Sequence, residues 1–218
     1  LVRGGQVVKC GIELPLPART RVVDLGDALV APGFVDAWSR TGAAEEGMEM
    51  AEPFTPALKI ADGSDLAHRD WTLYPALGVT SVVVGPDPRQ VAGGLSCLAK
   101  TGSPPRVVES GLGLQLSLRG DARIKQRPPT SLPGQLALLR SLFGEAAAAK
   151  KPLAEISAPR DRVVAKALAG RLAVAICCRT PQEVVAAAAL AGETGPKPFL
   201  VGALEHRQSP TILDRDKL

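Results

Sequence analysis

Aromatic residues are scarce: two Trp, one Tyr and four Phe make up 3% of the 218 residues. So few leave little material for the stacking platforms on which single-stranded nucleic acids are bound. Charge of one sign is missing as well. The 26 Lys and Arg face 22 Asp and Glu, for a formal net charge of +4, and no block of about five like charges interrupts the mixture. Nucleic-acid binding therefore has no support beyond a mildly basic pI near 9.0. No apolar run approaches the ~18 residues of a membrane span, the longest (172–178 among them) being strand-sized, so no membrane partner is expected. The four cysteines, Cys10, Cys97, Cys177 and Cys178, form no Cys-x-x-Cys pair, which leaves zinc knuckles and disulfide frameworks without a pattern. A cytoplasmic location is the default. Export stays open, because a processed leader would leave a chain beginning at a residue such as Leu1.

What is present is a core former. At 45% hydrophobic the chain has enough apolar material for one or two domains and is not disordered. Residues 1–31 alternate short apolar runs with Gly4-Gly5, Gly11 and the 15–17 Pro-Leu-Pro turn, and read as a small β-sandwich-like domain of three or four strands, with 21–25 and 28–30 among them. Residues 32–218 change pattern to buried strands alternating with helices. Strands are expected near 33–38 and at 79–84, 112–118, 172–177 and 199–204. Helices are expected at 132–149, 159–169 and 181–191. The last carries Thr180 as N-cap, Pro181 in its first turn, Glu183 completing a capping box and Gly192 as its stop. Alternation in this order predicts an α/β fold with a parallel sheet and right-handed crossovers. Gly93-Gly94 lacks a following Lys-Ser/Thr and reads as a tight turn rather than a phosphate cradle.

The run from Asp24 through Ala31-Pro32-Gly33-Phe34-Val35-Asp36-Ala37-Trp38-Ser39-Arg40 to Gly42 resembles the entry to the amidohydrolase superfamily, where a small β-domain leads into the first barrel strand. The stretch 76–86, with Gly78-Val79-Thr80 ahead of a β-branched run, and the 177–184 segment are similar to the imidazolonepropionase-like branch. The resemblance implies an incomplete (β/α)8 TIM-barrel-like fold of the metal-dependent hydrolase type. About 185 residues follow Gly33, against ~250 for a full barrel, so some three strands are expected to be missing.

Departures from the family pattern bear on chemistry. In the family the first strand ends in His-x-His, which holds a divalent metal that activates water; here those positions are Trp38 and Arg40, behind Asp36. Trp offers only an N–H and Arg only donors, so neither ligates a metal. The two later family histidines align with Cys177 and Arg179, and His206 aligns loosely with a further ligand. Trp38 is expected to pack where the metal would sit, and Arg40 to pair with a carboxylate such as Asp36 or with a partner chain. Cys177 and Cys178 are expected to be buried, and His68 to lie on the surface of a helix. The sequence thus points to a degenerate amidohydrolase-like protein with no catalytic residues, no cofactor and no competent metal centre, in a structural or binding role. Another chain, or its own missing C-terminal part, is the expected partner, and a small anionic ligand is compatible with the arginines. The alternative is a hydrolase of non-peptide carbon–nitrogen bonds that uses a divalent metal such as zinc, completed by residues beyond this chain or by a partner.

Overall fold

The computed structural model describes residues 1–43, 47, 49 and 51–205. The chain divides into two compact units, Leu1–Pro32 and Gly33–Leu218.

In the first unit β1 (Val2–Arg3) and β2 (Gln6–Val7) form an antiparallel hairpin. Gly4 and Gly5 join them, both at positive φ, as a tight turn of this twist requires. The β-sandwich expected here is absent among the described residues. Segments 21–25 and 28–30 are not strands, and Val22, Val23, Leu29 and Val30 are exposed. A two-residue hairpin offers no sheet against which they could pack or pair.

The second unit is built on a six-stranded sheet in the order β3 (Phe34–Ser39), β4 (Val79–Val84), β5 (Ala92–Lys100), β6 (Arg106–Ser117), β7 (Ala173–Cys177), β8 (Pro198–Val201). The expectation of an all-parallel sheet is corrected in the middle: β5 runs antiparallel to both β4 and β6, while β3–β4 and β6–β7–β8 are parallel. Residues 85–91 and 101–105 connect these antiparallel neighbours, which need only short links rather than a crossover helix. Gly93 and Gly94 lie inside β5 and not in a turn. The backbone of residues 54–59 runs parallel beside β5 there, with Leu95 N–H donating to the Leu58 carbonyl at 2.7 Å, and a Cβ on Gly94 (φ +111°) would run into that oxygen. These glycines serve close backbone approach.

A four-residue helix α1 (Asp70–Leu73) precedes β4, and α2 (Leu132–Ala149), α3 (Pro159–Leu168) and α4 (Pro181–Thr194) cover the other half of the sheet. Ser131 caps α2 by accepting from Gly134 N–H, and its buried Gln135, Leu139, Leu142 and Phe143 form one stripe. In α4 the capping box of Thr180 and Glu183 is complete. The helix passes through Gly192 and stops at Gly195, whose left-handed φ of 94° ends it.

One core packs α2, α3 and α4 on Leu114, Leu116, Val174 and Ile176; a second joins Trp71 and Ile60 to Val82, Val84, Cys97 and Ala99. The alternate residues of β6, β7 and β8 face the other way. Gln115, Ala175 and Phe199 stand side by side, as do Ser117, Cys177 and Val201 one step further on. The sheet curls enough for Trp38 of its first strand to meet Phe199 of its last, ring centroids 5.7 Å apart and edge to face. The result is a partial barrel of mixed α/β type. No helix among the described residues is long and apolar enough to cross a membrane.

Candidate functional site

Because β3, β4, β6, β7 and β8 all run the same way, their C-terminal ends and following loops gather at one end of the sheet. The residues singled out in the sequence lie there, on β3 (Asp36, Trp38), just after it (Arg40), at the end of β7 (Cys177) and after it (Arg179).

Trp38 is half-buried, set edge to face with Phe199 and laid over Gly85, where no side chain would fit. Arg40 does not pair with Asp36. The Asp36 carboxylate turns back on its own strand and accepts from Trp38 N–H at 3.2 Å. Arg40 reaches instead to Asp87, beyond the end of β4, its Nη2 donating to Oδ2 at 2.7 Å. Arg89 grips the same carboxylate from its backbone N–H (2.8 Å), Nε (3.0 Å) and Nη2 (2.8 Å). The Asp87 side chain is 1% exposed, while both arginines keep almost half their surface in water. Burial works against the Asp87 charge, but the Arg89 hydrogen bonds and the two guanidinium charges outweigh it and hold the carboxyl below its ordinary value.

Asp87 was not legible as a site residue from patterning, although Pro-Asp-Pro-Arg after a strand marks a local Asp turn. Its neighbour Gln115 is fully buried and donates from Nε2 to the Asp87 carbonyl at 3.0 Å.

The other wall is built from β6 and β7. Arg119 holds Asp121 with Nε and Nη2. Cys177 and Cys178 are buried as expected, and burial pushes the Cys177 thiol up to about 12. Nearby charges on Arg119, Asp121 and Asp87 act on it too, so these groups share one electrostatic neighbourhood. Arg179 is exposed; its backbone N–H donates to Glu183 Oε2 at 2.8 Å. Below the rim, Arg123 ties the elements together, donating to Glu183 Oε1 (3.0 Å), Gln135 Oε1 (2.9 Å) and the Leu118 carbonyl (2.9 Å). Arg123 carries no local pattern, because its side-chain partners Gln135 and Glu183 are remote along the chain.

His68 is exposed as expected but sits just before α1, not within a helix. His206 lies outside the described residues.

The divalent metal implied by the sequence resemblance does not fit this donor set. Trp38 and Arg40 have no lone pair to give, Arg179 has none either, and Cys177 is a buried neutral thiol. Among the described residues no group of three or more His, Cys, Asp or Glu converges as a metal site would require.

No family model and no curated protein matches the sequence. The structure is similar to the crystal structure of an amidohydrolase from Thermotoga maritima MSB8, with a TM-score of 0.85 and 23% identity. The match covers 100% of this chain and 63% of that one, so the chain spans less than two thirds of its structural neighbour. At this identity the likeness establishes the fold alone: a partial barrel of mixed α/β type, similar to part of that structure.

Proposed function

We propose that this chain is a binding member of the amidohydrolase type whose barrel mouth works without a metal, its motifs placing its origin nearest the imidazolonepropionase-like branch. One observation carries the reading: Arg40, where the family has the second histidine of its first strand, is committed to the buried Asp87 carboxylate together with Arg89. A guanidinium locked in that place brings permanent positive charge and no lone pair, and it cannot be deprotonated to relieve either condition. The residues that remain, arginines around an aromatic pair, suit recognition of an anion better than activation of water.

The second reading, a metal-dependent hydrolase of carbon–nitrogen bonds, is favoured by the likeness to the Thermotoga protein. It requires ligands from outside the described residues, His206 or another chain. Elemental analysis of protein purified without chelator separates the two. The binding reading expects no stoichiometric zinc, nickel or manganese and no turnover of imides, lactams or N-acyl amino acids. Metal near one per chain, with turnover lost on chelation, would establish the hydrolase instead.

A further inference from the structure

Two of the buried polar atoms without a hydrogen-bond partner, Nε and Nη2, belong to one guanidinium, that of Arg127. Arg127 lies in the segment between β6 and α2, past the C-terminal end of β6 and so at the mouth end of the sheet. Nε and Nη2 form one edge of the planar guanidinium, with parallel N–H bonds spaced to meet two oxygens. Arg89 and Arg119 both use this edge, each on an aspartate of its own loop. In Arg127 the same edge is turned away from water and has no hydrogen-bond partner among the described residues.

Desolvating charged donors without an acceptor is costly, so an unmet buried pair of this kind calls for an acceptor such as a water, an ion or a ligand. Among the described residues, the negative charge that acts on Arg127 is that of Glu49. Glu49 is not bonded to it: its carboxylate accepts the Ala51 N–H at 2.7 Å. Glu49 itself lines an open cleft of about 240 Å³ with Lys59, Pro86 and Gly93 among its walls, of which Arg127 is not one. Burial lowers the Arg127 pKa, the direction expected of a cation whose counter-charge is not in place.

We propose that the Nε/Nη2 edge of Arg127 is the docking point for a small oxyanion presenting two oxygens side by side, a carboxylate or a phosphate. This goes beyond the metal-free reading and does not depend on it. Metal found in the purified protein would overturn that reading and leave the anion site standing.

The test is calorimetric titration of the full chain with inorganic phosphate and, separately, with succinate, at constant ionic strength set by chloride. Saturable binding of at least one is expected, and which one binds assigns the ligand as phosphate or carboxylate. Arg127→Lys keeps the charge but loses the fork and should weaken binding at least tenfold; Arg171→Lys should not change it. Absence of saturable binding of both, or equal binding by Arg127→Lys, would overturn the proposal. So would an internal partner: if replacing Glu45, Glu46 and Glu49 together by Gln lowers the melting temperature of the anion-free protein as much as Arg127→Lys does, the edge is satisfied within the chain. Should Arg127→Lys fail to fold, a wild-type crystal soaked in the anion that binds decides. Density on the Arg127 edge supports the site, and its absence there refutes it.

Discussion

Asp87 shows how one side chain sets the character of the mouth. A carboxylate with 1% of its surface exposed would ordinarily resist ionisation, yet four hydrogen bonds from Arg40 and Arg89 converge on it. Its folded pKa is depressed, so the group contributes stability that is complete above the unfolded value of about 3.9. That contribution fades as pH falls toward the lower folded value. Asp87→Asn should therefore be less stable than wild type at pH 7, by about 1.5–3 kcal/mol for hydrogen bonds to charged groups. It should also lose less on acidification, so the two urea-denaturation midpoints converge as pH falls below about 4. Parallel midpoints down through acidic pH would mean that the carboxylate charge is not what the arginines hold. Trp38 acts differently: it occupies space beside Phe199 and Gly85 by shape alone.

At the scale of elements, the site rests on a polar brace between α2, α4 and the end of β6. Glu183 completes the α4 capping box and also meets Arg123, which in turn bonds Gln135 of α2. The Glu183 side chain is 4% exposed. Arg123→Met would leave it without its cation, and breaking a buried pair from one side costs about 3–5 kcal/mol. Chemical denaturation should show a loss of that order, whereas Arg140→Met, which breaks a pair exposed on both sides, should leave the midpoint almost unchanged. In β5, Gly94→Ala combines a positive φ with a collision against the Leu58 carbonyl, and should cost more than ~2 kcal/mol in the same assay.

These elements also mark what the sequence makes legible. Helix α2 matches its expected bounds and the α4 cap is found intact, because both are written in residues three or four apart. Strand β5 was hidden because its glycines answer to a backbone some 36 positions away, that of Leu58 beneath Gly94, and local rules assign adjacent glycines to turns. The same holds at the mouth. Trp38, Arg40, Cys177 and Arg179 could be marked as departures from a known pattern, but the partner of Arg40 was misassigned, since Asp36 is near in sequence and Asp87 near in space. Arg123 and Arg127 carried no pattern at all.

For the whole molecule, the partial barrel leaves its margins open. Among the described residues β3 pairs only with β4, and β8 only with β7, so each presents an outer row of backbone donors and acceptors. Strand β3 adds apolar surface: Phe34 is 70% and Val35 60% exposed. The N-terminal unit, taken by itself, exposes Ile12 at 95% and Leu29 at 98%. Scattered apolar residues are common on protein surfaces, but an unpaired strand edge that is also apolar is a template for pairing with another chain. The protein is therefore expected to associate, with a second copy or with another chain that covers β3. Sedimentation velocity at 1–50 μM should show a weight-average mass that rises with concentration above the 22.7 kDa of the monomer. Val35→Lys places a charge on the exposed edge, which opposes strand addition as natural edge lysines do, and should move the distribution toward monomer without lowering the unfolding midpoint. If association persists unchanged in Val35→Lys, β3 is not the contact. A wild-type chain that stays monomeric throughout the range would show that the open edges are protected by their own twist and need no partner.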